Sequence, residues 1–472
     1  MIKTVIPVRW RLTSAERRIL LLIGDLLTAY FALFVGLYFW ARGDSWLSFS
    51  LEFIKTKPAF WFWLLPFIWM LMLIDLYDAR RSSHRNETLR GIAVAAIIGT
   101  ILYSLVYMLS EPKSLPRIGV AVFIVATSLL TMVWRQLYIS VFTAPLFVRR
   151  VLVVGAGKAG TTLVKVIKNT WPPPFYLVGL IDDDPRKIGT QIEGVSVLGD
   201  NQQMLKIIAE QNISDLVLAI SGEMNSSMFQ AILEAEERSI EVTTMPRVYE
   251  EVLGRVPIFL LETDWIIRSF LNQAQTDAFY KATKRIIDII GGLVGSLLLG
   301  VLFPFISLAI VLDSGFPIIH FQNRLGKNGQ VYPLINFRTM CQDAEKDGTP
   351  QLARDKDDRI TRVGWFLRKI HLDEWPQFIN VLHGELSLVG PFSERPELVE
   401  QLQQTIPFYR ARLLVKPGLT GWAQINQQYA ASLEEMGIKL EYDLYYIEHR
   451  NLMMDFVILL RTIGTVIGFK GH

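Results

Sequence analysis

Cysteine is almost missing from this chain: one residue, Cys341, among 472. That excludes an internal disulfide framework and fits a reducing compartment. Histidine is scarce as well, at six, and His320, His371, His383 and His449 follow no zinc-ligand spacing. An excess of one charge sign is also lacking. Lysine and arginine total 48 against 45 acidic residues, a net charge of +3, so no global basic field argues for a nucleic-acid partner. The first apolar run follows Arg9, Arg11, Arg17 and Arg18, and no small-residue site closes it, so no cleavable signal peptide is expected.

What the chain has in quantity is hydrophobic surface, 51% of residues, with a mean hydropathy of +0.30. Its length allows two or three domains. Four apolar segments, 19–40, 60–77, 92–109 and 118–138, fill the first third. Each is about long enough to cross a ~30 Å hydrocarbon layer at ~1.5 Å per residue, and tryptophan and tyrosine mark their flanks. Arg80, Arg81, Arg85 and Arg90 follow the second segment, and the amino terminus is similarly basic. The positive-inside rule puts both in the cytoplasm, and four crossings return the chain there. The expectation is a four-helix transmembrane domain over 1–148. Asp25 and Asp75 read as interfacial or helix-pairing groups, since an isolated acid makes no proton relay.

Next comes VLVVGAGKAG, an apolar strand entering a glycine turn and then a helix. Gly155, Gly157 and Gly160 match G-x-G-x-x-G, and Asp182 ends the following apolar run. Strands near 215–220 and 240–244 continue the alternation, giving a doubly wound, Rossmann-like α/β domain over 149–248. The same glycines serve a tight turn without any ligand, so a bound nucleotide stays open. Residues 249–280 read as a connector. A fifth apolar segment, 286–312, contains Pro304, Gly291, Gly292 and Gly295. Residues 315–370 hold ten basic and six acidic side chains, as a cytoplasmic flank should. A Pro-broken, re-entrant membrane helix reconciles the two, because proline removes a backbone donor and bends the helix. Asp288 is expected to pair with Lys284 or Arg285.

Downstream lies DRITRVGWFLRKIHLDEWPQFINVLHGELSLVGP, beginning at Asp358. Its adjacent carboxylates, Asp373 and Glu374, sit among arginines. Pro376 suits the first position of a helix running through Phe378, Ile379 and Leu382 to Gly384, and Gln377 falls in its first turn. Arg368 precedes the pair by five residues; Arg324, Lys327, Arg338 and Arg359 come from separate blocks. Arginine forks clamp phosphate in a bidentate manner, and lysine serves as a point charge. A nucleophilic carboxylate beside such groups, at a membrane, points to phosphoryl chemistry on a lipid.

From about 281 to 472 the chain resembles the bacterial sugar transferase family, the polyisoprenyl-phosphate hexose-1-phosphate transferases of the large membrane type. The resemblance rests on FQNRLGKNGQ, FRTM, DRITRVGWFLRK, LDEWPQ, NVLHGELSLVGP, ERPELV, KPGLTGWAQ and KLEYDLYYI, in that order. It implies a monotopic phosphoglycosyl transferase domain over 281–472. It further implies transfer of a sugar-1-phosphate from a UDP-sugar to undecaprenyl phosphate with release of UMP, the first membrane step of exopolysaccharide, capsule or O-antigen synthesis. Asp373 is then the nucleophile that forms an aspartyl-phosphosugar, and Glu374 positions it or the metal. Mg²⁺ is the implied cofactor, held by Asp373 and Glu374. Arg324, Lys327, Arg338, Arg359, Arg368, Gln377 and Arg395 become the substrate-binding set. The place is the bacterial inner membrane, multi-pass and in contact with its lipids, with the site facing the cytoplasm; a homodimer is a further expectation. One departure stands out. The family reads V-G-P-R-P where this chain has Phe392 and Ser393 after Pro391, and Arg395 is the substitute for the absent arginine. That keeps open a non-catalytic scaffold or regulator, and the glycine turn keeps open a nucleotide-dependent oxidoreductase.

Overall fold

The computed structural model describes residues 14–43, 49–77, 82, 84–109, 116–142, 149–170, 173–220, 222–260, 278–341, 359–427 and 432–467. The chain divides into two units, Met1–Met245 and Pro246–His472.

In the first unit, uninterrupted apolar sequence gives three long helices: α1 (Ser14–Arg42), α4 (Arg85–Leu109) and α5 (Arg117–Phe142). Between them lie the short α2 (Leu51–Thr56) and α3 (Leu65–Met72). Glycine lets α1 and α5 approach closely, for a Cβ on Gly36 would lie 2.6 Å from the carbonyl of Gly119. Asp25 and Arg135 lie between them, fully buried, with Arg135 Nη2 donating to Asp25 Oδ2 at 2.7 Å. Arg135 Nη1 donates to the Leu76 carbonyl at 3.1 Å, and the guanidinium lies 5.1 Å from the Tyr77 ring. Asp25 is thus the helix-pairing group expected; the Asp75 side chain is outside the described residues.

The second apolar segment corrects the expectation of four alike helices. It is a 3₁₀ turn, Phe60–Leu64, followed by α3, then a second 3₁₀ turn, Ile74–Tyr77. The apolar stretch Phe60–Met72 spans roughly 22 Å at ~2.0 and ~1.5 Å per residue, short of a ~30 Å layer. Length counted on sequence missed the breaks.

The rest of the unit is an open α/β sheet in the order β3-β4-β2-β1-β5-β6. Its strands are β1 (Arg150–Val154), β2 (Tyr176–Ile181), β3 (Gln191–Ile192), β4 (Val195–Gly199), β5 (Asp215–Leu218) and β6 (Glu241–Thr244). All neighbours pair in parallel except β3 with β4. The alternating helices are α6 (Lys158–Asn169), α7 (Asn201–Glu210) and α8 (Ser226–Glu237). In the glycine turn, Gly155 has φ +111°, and a Cβ on Gly160 would collide with the Gly155 carbonyl, whereas Gly157 faces open space. Gly160→Ala is therefore expected to destabilise this unit by roughly 1–3 kcal/mol, and Gly157→Ala by less than about 0.5 kcal/mol. Thermal midpoints of the two variants check this, and equal midpoints would contradict it.

The second unit begins inside α9 (Met245–Leu253). Here the structure corrects the connector reading: Val256 and Ile258 are buried in the unit's core, and Val256 N donates to the Glu441 carbonyl at 3.1 Å. Short apolar runs concealed core residues. Residues 261–277 lie outside the description.

The apolar fifth segment is part of one continuous helix, α10 (Ala278–Ser314), with Pro304 inside it. One face packs on protein: Cβ atoms at Gly291, Gly292 and Gly295 would strike Leu388, Leu382 and Phe378. The opposite face exposes Ile290, Leu293, Leu297, Val301, Phe305 and Leu308. Asp288 is buried and pairs with neither expected base. It accepts from Ser387 Oγ (3.0 Å) and Leu388 N (2.9 Å). Lys284 instead donates to Asp455 (2.8 Å), and Arg285 to the carbonyls of Val381 and Leu382 (2.8 Å each).

Beyond α10 come an antiparallel hairpin, β7 (Ile319–Leu325) and β8 (Val331–Phe337), then α11 (Arg362–Lys369), α12 (Gln377–His383), β9 (Ser387–Val389) and α13 (Pro396–Thr405). β10 (Gly418–Thr420) pairs in parallel with β9, and α14 (Trp422–Asn426), α15 (Leu433–His449) and α16 (Leu452–Ile467) close the chain. Asp455 and Arg461 interrupt the apolar run of α16, a charge placement that in sequence alone reads as a helix lying along a membrane surface. Both are buried: Asp455 meets Tyr280, Lys284 and Tyr446, and Arg461 lies 5.3 Å from the Trp422 ring. These charges find protein partners rather than headgroups.

Candidate active site

The carboxylate pair occupies a 3₁₀ turn, Leu372–Glu374, between α11 and α12. Thr361 caps α11, accepting from Gly364 N, and Leu367 buries its inner face. The chain reverses at His371, left-handed at φ 55°, an uncommon conformation for a non-glycine residue. Pro376 caps α12, and Gly384, at φ 86°, ends it by donating to Asn380 and Val381 carbonyls. This is the helix expected from sequence. Leu299, Ile306 and Ile310 of α10 pack with Phe337 and Leu367, and Leu372, Trp375 and Ile379 join them, so the turn rests on the apolar helix.

Burial dominates the electrostatics. It raises the Asp373 pKa above its ordinary value, against the opposing charges of Arg368 and His371. Burial, then the charge of Asp373, pushes Glu374 up to about 8, while Arg324 and Arg368 pull it down. The pair keeps partial exposure, yet Asp373 Oδ1 is buried and takes no hydrogen bond among the described residues. Two adjacent acids, one with an unsatisfied buried oxygen, suit a hard divalent cation such as Mg²⁺.

Asp373, Glu374, Arg368 and Arg324 come together. Arg368 Nε donates to Thr339 Oγ1 at 2.9 Å. Arg324 donates to Gln322 Oε1 and the Ser393 carbonyl; burial, and to a lesser degree Arg395, lowers its pKa, which places Arg395 nearby. The other predicted residues are placed differently. Arg338 Nη2 donates to Ser314 O (2.7 Å), Ser314 Oγ (2.8 Å) and Gly315 O (2.6 Å), closing the end of α10. Gln377 is buried and donates to Asn336 Oδ1 at 2.8 Å. Lys327 is exposed in the β7–β8 turn, close enough to add to the lowering of Lys416 by burial and Arg285. Arg359 offers its carbonyl to Cys341 N at 2.9 Å, and the Cys341 thiol is exposed. Sequence reasoning left out His371; its position two residues before the acid was the available signal.

Phe392 also has defined surroundings. Its ring lies 5.5 Å from the Arg324 guanidinium and 4.7 Å from Lys439 Nζ, so an aromatic face meets two cations. In the α/β sheet, Asp182 Oδ2 accepts from Ala156 N (2.7 Å) and Lys187 Nζ (3.0 Å). The acid that would read a ribose is already engaged by the glycine turn itself.

Residues 279–469 match the bacterial sugar transferase family, and residues 72–246 match the CoA-binding domain family. Similar curated proteins include the UDP-N-acetylgalactosamine-undecaprenyl-phosphate N-acetylgalactosaminephosphotransferase of Aeromonas hydrophila, 38% identical over 48% of this chain and 52% of that one. The UDP-glucose:undecaprenyl-phosphate glucose-1-phosphate transferase of Escherichia coli K12 is 32% identical over 68% of each chain. The UDP-galactose-lipid carrier transferase of Erwinia amylovora is 27% identical over 69% of this chain and 70% of that one. The chain belongs to the bacterial sugar transferase family. It spans about half to two thirds of the length of the curated relatives it matches.

Proposed function

We propose that this protein transfers a sugar-1-phosphate from a UDP-sugar to undecaprenyl phosphate and releases UMP, beginning exopolysaccharide, capsule or O-antigen assembly at a membrane. The observation that carries the reading is Asp373, with an unsatisfied buried oxygen, among Arg368, Arg324 and His371 on an apolar helix. Its carboxylate attacks the sugar-bearing phosphorus, the P–O bond to UMP breaks, and an aspartyl-phosphosugar remains. A phosphate oxygen of the lipid then attacks the same phosphorus and frees the carboxylate. Arg368 and Arg324 bind and orient the diphosphate. Mg²⁺, held by Asp373 and Glu374, would offset the diphosphate's charge. In this reading Phe392 keeps Arg324 and Lys439 apart where the family carries a further cation.

We also read α10 as re-entrant. Arg285 near its start and Ser314 at its end are both bonded to the same catalytic unit, and protein covers one face along the way. A helix so clad is not ringed by lipid, and Pro304 supplies the bend. The α/β sheet is read as Rossmann-like, and the amino-terminal segments as four passes of the inner membrane, the second made by the broken stretch 60–77, whose closing 3₁₀ turn adds roughly 8 Å to the ~22 Å of Phe60–Met72. The site then faces the cytoplasm.

The test is UMP release by the full-length protein given undecaprenyl phosphate, Mg²⁺ and, one at a time, UDP-glucose, UDP-galactose and their N-acetylated counterparts. Release with at least one donor is expected. No release with any of them would favour the scaffold reading.

A further inference from the structure

A second cluster of donor groups lies outside the phosphate site. Glu250 on α9, and Glu448 and His449 at the end of α15, bring one ligand atom each to within 4.8 Å of one another. Glu250 is 8% exposed. Its Oε2 lies 3.1 Å from His449 Nε2, while its Oε1 is buried with no hydrogen-bond partner among the described residues. A buried carboxylate oxygen is costly to leave unsatisfied, and a cation satisfies it directly. The His449 ring packs against Tyr445, with centroids 4.4 Å apart, which restrains the imidazole.

We propose that Glu250, Glu448 and His449 bind a divalent first-row transition metal of the Zn²⁺ class, tying α9 to the end of α15. An imidazole with two carboxylates suits such an ion and not Mg²⁺, which prefers oxygen and water. Bonds of ~2.0–2.2 Å place donors roughly 3.4 Å apart around a tetrahedral ion, which small side-chain rotations reach from the present spacing. Three protein ligands leave a fourth position to water. The bond joins residues 199 positions apart, so no spacing motif announces it.

The experiment titrates Co²⁺ into chelator-stripped, full-length protein and follows the visible bands of four-coordinate cobalt. Wild type is expected to saturate at one equivalent, with Zn²⁺ displacing the cobalt. Glu250→Gln and His449→Ala should each lose the bands while eluting as wild type in size exclusion; Glu250→Gln, nearly isosteric, serves if His449→Ala fails to fold. Asp373→Asn and Cys341→Ser should keep them. Absence of bands in wild type, their persistence in Glu250→Gln, or their loss in Asp373→Asn or Cys341→Ser would each overturn the assignment.

Discussion

Asp373→Asn is expected to cut UMP release by about 10³-fold or more, in keeping with the loss of a covalent nucleophile. The amide retains the shape of the side chain but neither its charge nor its attacking lone pair. Folding should survive, because Asp373 Oδ1 takes no hydrogen bond among the described residues and the turn is held by Leu372, Trp375 and Ile379 against α10. Burial already penalises the charged acid, so removing that charge carries little structural cost. The measurement is single-turnover UMP formation from the donor the wild type accepts, with elution volume as the check on folding. Undiminished release would remove Asp373 from the nucleophile's role.

The largest effect on stability is expected at Arg412, which is 2% exposed in its side chain. It donates to Glu394 Oε1 (3.1 Å), Tyr409 OH (2.7 Å), the Phe392 carbonyl (3.1 Å) and Asp443 Oδ2 (2.7 Å). Arg412→Met leaves Asp443 buried without its guanidinium partner and Glu394 with the Lys439 ion pair, at 2.9 Å. Breaking a buried ion pair from one side costs about 3–5 kcal/mol. The thermal midpoint of the variant, followed by tryptophan fluorescence, should fall well below wild type, while the exposed Arg410→Met leaves it unchanged. Equal midpoints would show that the network contributes nothing. A pH dependence accompanies it. Burial would raise Glu394, but Lys439 and Arg412 prevail and hold it at about 2. Its share of stability is therefore present above the ordinary glutamate value, ~4.3, and disappears as pH falls through about 2.

Contiguous chemistry was legible in the sequence. Pro376 and Gly384 bracket α12, the glycine turn leads from β1 into α6, and the acidic pair lies just ahead of α12. Partners distant in sequence were not. Asp288 has two bases nearby in the chain, yet its bonds run to residues 99 and 100 positions away. Arg338 resembles a phosphate ligand when read alone, but one of its nitrogens serves the carbonyls at the end of α10. Asp455 and Arg461 look like interfacial charges until Lys284, Tyr446 and Trp422 appear beside them. An apolar count could not distinguish a regular helix from the broken segment 60–77, because hydropathy carries no information on where a turn tightens.

The lone sulfhydryl has a practical consequence. Cys341 is exposed, follows β8, and anchors its backbone to Arg359, at the start of the arginine-rich approach to the acidic pair. The native polypeptide therefore carries a ready-made attachment point for a maleimide dye, with no competing thiol to remove. Membrane-impermeant reagent applied to intact cells and to inverted vesicles reads which side this loop occupies, without altering a residue.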